Sequence, residues 1–99
     1  MKIEIPSQRK VISRYSDDAQ AMVHMEECGE LIQAISRMRR VKNKGGDDTE
    51  AYYNLVEEMA DVLICLEQIQ ETYGIYDTEI QAMVFKKCRR QEERIYGHV

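Results

Sequence analysis

Residues 26–61 read EECGELIQAISRMRRVKNKGGDDTEAYYNLVEEMAD, and this stretch decides the fold. It opens on the acidic cluster EECGE, closes on the acidic cluster EEMAD, and has a basic run and two glycines between them. Leu31, Ile32, Ile35 and Met38 recur at the three- and four-residue steps of an amphipathic helix. Basic residues suit a helix C-terminus, where aligned peptide dipoles leave partial negative charge, and Gly45-Gly46 ends the helix. A second helix begins at Asp47, where D-D-T-E sets Glu50 three residues beyond a capping aspartate. The segment is therefore a helix–turn–helix. In an antiparallel hairpin, facing positions are equidistant from the turn. Glu27 and Asp61 are centred on position 44, as are Glu30 and Glu58, and Lys44 lies in the predicted turn. The two acidic clusters thus face each other about 20 Å from the turn, at 1.5 Å of rise per residue.

Outward from this hairpin the pattern continues. Upstream, Ser16 or Asp17 offers an N-cap, and Ala19, Met22, Met25, Ile32 and Ile35, with Leu31 and Met38 alongside, mark one long helix. Ser7 can cap a shorter helix through Tyr15, in a lead-in segment 1–15. Downstream, Leu55, Met59, Val62, Leu66, Ile69 and Tyr73 alternate steps of four and three, the seam of a helix packed at a shallow angle. Gly74 closes it. Thr78 with Gln81 forms another capping box, and Ile80, Met83, Val84, Cys88 and Ile95 carry a third helix. The expected fold is all-α, an antiparallel helical bundle in one domain, with residues 16–96 as its functional helices. The first long helix is apolar around most of its circumference near Cys28 to Ile35. Three helices cannot cover that much, so a homodimer or homotetramer is expected to complete the bundle.

The bulk composition bounds the function. Ninety-nine residues, 43% apolar and 32% charged, suit one globular domain and exclude a disordered chain. A net charge of −4 argues against a nucleic-acid partner, which needs a basic surface. Cys28, Cys65 and Cys88 form no CxxC pair and fit reduced thiols in a cytoplasmic protein. MKIEIPSQRK lacks the apolar centre of a signal peptide, and the apolar run Val62 to Leu66 is far too short to span a bilayer.

The acidic clusters carry the chemistry. Glu27 and Glu30 share one helix face, as do Glu58 and Asp61, and Glu58 borders the Leu55–Met59–Val62 stripe. Four carboxylates converging in a partly dry space stay ionised only if cations neutralise them. All-oxygen donors select hard ions, Mg²⁺ first and Mn²⁺ second. His24 and His98 stand apart from this geometry, and the Glu-x-x-His pairs of a di-iron site are missing. A single ExxE is more often a solvated helix face, and it is the register of two that favours a site. Lys87, Arg90, Gln91 and Arg94 form a basic face on the last helix, suited to a polyanionic substrate such as a nucleoside phosphate. The same spacing also fits a solvated face or ion pairs with Glu92 and Glu93. Tyr52, Tyr53 and Asn54 can be read as contacts to a base or as ordinary packing and surface. The methionines fall at core-like helical spacing.

These residues resemble the MazG-like nucleotide pyrophosphohydrolases of the all-α NTP pyrophosphatase superfamily. EECGE followed by EEMAD is similar to that family's EExxE…ExxD signature, and EECGELIQAI and EEMADVLICL to its way of writing both helices. Val84-x-x-Lys87-x-x-Arg90-Gln91-x-x-Arg94 is similar to its later VxxKxxKN-type segment, and the likeness spans roughly residues 17 to 96. The resemblance implies hydrolysis of a (d)NTP to (d)NMP and pyrophosphate by water attack at the α-phosphorus. It implies Mg²⁺ held by Glu27, Glu30, Glu58 and Asp61, with Glu26 orienting or activating water. It further implies phosphate contacts from Lys87, Arg90 and Arg94, a dimeric or tetrameric assembly, and a house-cleaning role against abnormal nucleotides. Gln91 departs from the asparagine often found there, which leaves its contact to phosphate or base open. Two other readings stand beside this one: a phosphoribosyl-ATP pyrophosphohydrolase, which cleaves the same type of bond, and a non-catalytic helical oligomer that binds Mg²⁺–nucleotide or a partner helix.

Overall fold

Two long antiparallel helices, α2 (Asp17–Lys44) and α3 (Thr49–Tyr73), form the hairpin on which the rest of the molecule hangs. In the computed structural model, which describes residues 1–97, a short α1 (Arg9–Arg14) precedes the hairpin and α4 (Asp77–Tyr96) follows it. The described residues are 81% helical, with no strand among them. The chain is an all-α protein. Among the described residues, no helix is long and apolar enough to cross a membrane.

The helix ends are chemically specified. Ser16 sits in extended backbone and its hydroxyl accepts from the Ala19 amide at 3.1 Å, starting α2. Gly45, at φ 73°, ends it by donating to the carbonyls of Val41 and Lys42. Lys42 Nζ then reaches Asp48 Oδ2 at 2.6 Å across the turn. Two expected caps take another form. Asp47 accepts from the Thr49 amide and hydroxyl, at 3.1 and 2.7 Å, while Glu50 turns to Arg37 at 3.2 Å and forms no capping box. The last helix starts one residue before Thr78, and it is Glu79 that bonds back to the Tyr76 amide at 3.1 Å.

The hairpin seam differs from the apolar stripes read in the sequence. On α2 the buried and half-buried positions include Gln20, His24, Glu27, Leu31, Ala34, Met38 and Val41; on α3 they include Ala51, Leu55, Glu58, Val62, Cys65, Gln68, Ile69 and Thr72. Both follow heptad steps. Met22, Met25, Ile32 and Ile35, expected to face inward, lie on the outside, as do Met59, Leu66 and Tyr73. The cause is plain: the true seam passes through polar residues, and a second apolar stripe runs one position round each helix. Met83 is exposed and Met38 half-buried, so most methionines at core-like spacing are not core in the single chain. Among the described residues, only Ala34, Ala51 and Cys65 are buried apolar residues.

A hydrogen-bond ladder fastens the lead-in to the hairpin. His24 Nε2 lies 2.9 Å from Gln68 Oε1, Gln68 donates to Gln8 Oε1 at 2.9 Å, and Gln8 donates to the Pro6 carbonyl at 2.9 Å. Arg9 adds an ion pair to Glu71 at 2.8 Å. The extended residues before α1 lie along α3, leaving an open groove of about 390 Å³ between Ile3 and Ile5 on one side and Val56, Met59 and Ile64 on the other.

α4 stands away from this body. It has no extended contact with another helix and no buried residue. Its departure angle is held by the elbow: Gly74 takes φ 64°, and Gln70 Nε2 donates to the Ile75 carbonyl at 3.3 Å and to Asp77 Oδ1 at 2.8 Å.

Candidate metal centre

Glu27, Glu30, Glu58 and Asp61 meet midway along the hairpin, as their shared register predicts. One carboxylate oxygen from each lies within 4.8 Å of all the others. Oxygens on opposite sides of an octahedral Mg²⁺ stand about 4.2 Å apart, given bonds near 2.1 Å, so the quartet brackets an ion of that size with little adjustment. Glu27 and Glu58 occupy seam positions, which draws them partly out of water, while Glu30 remains exposed at the rim.

The electrostatics describe an unbalanced site. Burial and then the charges of Asp61 and Glu30 raise the Glu27 carboxyl above its ordinary value of 4.5. Burial and then its contact with Glu30 raise that of Glu58 likewise. One oxygen of each, Glu27 Oε2 and Glu58 Oε2, is buried without any hydrogen-bond partner. Buried carboxylate oxygens normally have partners, and no ion pair among the described residues supplies one here. α3 contains no Lys or Arg at all, and the basic residues of α2 gather at 37–44, near the turn. Four oxygen donors, two of them with orphaned buried oxygens, fit a hard divalent cation.

Cys65 occupies the seam one turn beyond Asp61. Burial, followed by the charge of Glu27, pushes its thiol up to about 11, so it is neutral and inert at ordinary pH. All three cysteines are free, with Cys28 and Cys88 exposed. His24 is engaged in the ladder, one turn before Glu27; His98 lies outside the described residues.

Other candidates are placed differently. Glu26 is exposed and outside the converging quartet. Lys87, Arg90, Gln91 and Arg94 are exposed on α4, and none takes part in an ion pair among the described residues, so the pairing with Glu92 or Glu93 does not occur. The single chain does not bring this face to the hairpin seam. Tyr52 and Tyr53 are exposed and meet edge to face at 5.3 Å, while Asn54 is half-buried one turn before Glu58. The apolar stripes did not reveal the His24–Gln68 pair. The signal available was heptad spacing back from Glu27 and forward from Asp61.

The model of one family, the MazG nucleotide pyrophosphohydrolase domain, matches residues 16–95, which include all of α2 and α3 and nearly all of α4. No curated protein and no solved structure gives a significant match.

Proposed function

This chain belongs to the MazG nucleotide pyrophosphohydrolase family, and from that premise we propose that it hydrolyses a (d)NTP to (d)NMP and pyrophosphate with Mg²⁺, or Mn²⁺ in its place. The observation that carries the reading is the convergence of four carboxylates around two orphaned buried oxygens. Glu27, Glu30, Glu58 and Asp61 hold the ion. When bound, it neutralises charge on the substrate phosphates and lowers the pKa of a nearby water.

The residues of the chain supply position. Water forms a new bond to the α-phosphorus, the bond from that phosphorus to the bridging oxygen breaks, and pyrophosphate leaves with the electron pair. Glu26, exposed beside Glu27, orients the attacking water and takes its proton. Lys87, Arg90 and Arg94 bind phosphate oxygens, and Gln91 donates an amide hydrogen bond to phosphate or base. Phosphoryl transfer of this kind depends mainly on positioning and charge stabilisation. Cys65, the thiol in the seam beside the quartet, is buried and pushed up to about 11, so it does not serve as the nucleophile. The functional assembly is a homodimer or homotetramer, supported by the large uncovered apolar faces. The free thiols fit a cytoplasmic enzyme, with nucleotide-pool house-cleaning as its role.

The test is product analysis with a panel of NTPs and dNTPs, in Mg²⁺ and in EDTA. Monophosphate and pyrophosphate in equal amounts, formed only with metal, are expected. Orthophosphate as the product, or turnover indifferent to EDTA, would overturn the proposal. Phosphoribosyl-ATP belongs on the panel, and exclusive turnover of it would reassign the substrate.

A further inference from the structure

One side of the hairpin seam carries more than the carboxylates. Arg37, Glu30, Glu27, Val23 and Ala19 follow a single strip of α2, at helical steps of seven, three, four and four. The Arg37–Glu50 ion pair marks the edge of α3 that this strip meets. Asp61 lies eleven residues past Glu50 on that edge, and Gln68 seven further. The quartet is therefore flanked on the same side by two features, each about 10 Å away at 1.5 Å of rise per residue. Toward the turn stands the Arg37–Glu50 pair. Toward the lead-in stands Gln68.

At the lead-in end the strip runs into a pocket of about 370 Å³, within the size range of small-molecule sites. Val11 and Tyr15 wall it on the side of α1, and Ala19, Gln20, Val23 and Gln68 on the side of the hairpin. None of these residues is charged, which suits the pocket to a neutral ring and not to a phosphate. The strip's cation, Arg37, lies beyond the quartet at the opposite end. Two of the lining side chains are buried amides, Gln20 at 5% exposure and Gln68 at 7%. His24 and Gln8 occupy the oxygen and one N–H of Gln68, fixing it and leaving its second N–H. Gln20 is held only by a 3.5 Å contact from Nε2 to the Val11 carbonyl, and its Oε1 accepts no hydrogen bond among the described residues. Buried polar groups normally have partners. Gln20 thus offers an acceptor beside a weakly held donor, the pattern that matches the edge of a nucleobase. Tyr15, 56% exposed, supplies an aromatic face on which a base can stack.

We propose that this pocket between α1 and the first turns of α2 takes the base of the nucleotide, stacked on Tyr15 and read at its edge by Gln20 and Gln68. The inference rests on the nucleotide reading above and adds where the base lies and which residues select it. Val23 stands one turn from Glu27, and Gln20 two turns, so one sugar bridges the gap between an α-phosphate at the quartet and a base in the pocket. The β- and γ-phosphates then run toward Arg37, whose partner Glu50 is exposed and holds it by a single 3.2 Å bond. The lead-in acquires a role in the same step. The ladder through Gln68 and Gln8 that fastens it to the hairpin also sets one wall of the pocket. A base whose edge leaves the buried Gln20 amide unpaired is rejected, because that amide has no water to turn to.

The experiment is titration calorimetry with Mg²⁺. It compares α,β-imido nucleotide analogues of the four bases, which resist cleavage at that bond, with inorganic triphosphate, which has phosphates and no base. The wild-type chain is expected to bind at least one analogue more tightly than triphosphate. Tyr15→Ala removes an exposed side chain and should weaken that analogue about tenfold or more, with triphosphate binding as before. Gln20→Leu, checked for helix content by circular dichroism, should bring the four analogues to within about threefold of one another. Hydrogen exchange on the unmodified chain gives a check independent of variant folding: the analogue, and not triphosphate, should protect amides of residues 11–20. Unchanged affinity in Tyr15→Ala, an equal loss for analogue and triphosphate, or no base-dependent protection of residues 11–20 overturns the pocket and leaves the metal reading in place. A loss that follows Tyr53→Ala instead would seat the base at the start of α3 and overturn it as well. Binding of neither probe would remove the proposal together with the reading it rests on.

Discussion

Glu27 and Glu58 stand where a helix pair held together by packing alone would have leucine. Each has a buried oxygen with no partner, so neutralising either should relieve the fold and, on the proposed function, remove a ligand of the ion. Glu58→Gln should therefore melt higher than the wild type in EDTA, lose the rise in Tm that Mg²⁺ gives the wild type, and turn over nucleotide about 10²-fold more slowly or worse, the scale seen when one charge-stabilising group is removed from an active site. Scanning calorimetry with and without metal reads the first two effects. A metal-induced rise equal to that of wild type would place the ion elsewhere. The pH dependence has a definite sign. Both carboxyls are raised in the folded state, so above the ordinary value of 4.5 the native protein binds more protons than the unfolded one. Their unfavourable contribution is absent below that value, grows as pH rises through the native values, and is fully present above them. In EDTA the urea midpoint should thus fall between pH 5 and pH 7 on account of these groups, and saturating Mg²⁺ should flatten or reverse that slope. Thiol chemistry offers a third check: Cys28 should react readily with a maleimide at neutral pH, while Cys65, buried and with its thiol pushed up to about 11, should wait for unfolding.

At the scale of elements, the hairpin was legible because its signals are local and chemical. Ser16, Gly45 and Gly74 bound the helices where the sequence puts the boundaries, and the common midpoint of the two acidic pairs gave their register before any coordinates. The seam was not legible from apolar spacing, because Gln20, His24 and Gln68 occupy it and the neighbouring stripe is equally apolar. A stripe meant for another surface looks the same in sequence as one meant for the core. The ladder that fills those polar seam positions has a measurable role. Gln68→Ala leaves His24 and Gln8 without their partner in a buried setting and should destabilise the fold by about 1–3 kcal/mol. His24→Leu with Gln68→Leu removes the buried His24–Gln68 pair at once, leaves only half-buried Gln8 without its partner, and should cost less than Gln68→Ala alone. Urea unfolding of the three proteins decides the matter; a double variant less stable than Gln68→Ala would show that the ladder provides more than mutual satisfaction.

At the scale of the molecule, a chain of 99 residues whose buried apolar residues, among those described, are two alanines and a cysteine has little core of its own. The sequence did forecast uncovered apolar surface, through the wide arc near Cys28 to Ile35. It did not forecast that α4 leaves the body, since an elbow set by Gln70, Gly74 and Glu79 has no periodic signature. Folding and association should then be one transition, with native assembly in equilibrium with unfolded chains. Mass action makes such a transition depend on concentration. Each tenfold rise in protein concentration adds about 1.4 kcal/mol per dimer, and a folded pair of this size shifts its Tm by about 2–4 °C per kcal/mol. The expected rise is therefore about 3–6 °C per tenfold increase in concentration, read by circular dichroism across two decades at fixed pH and metal. A concentration-independent Tm in a sample that sediments as a monomer would mean that the hairpin and lead-in hold themselves, with the ladder and the three small buried residues as sufficient core.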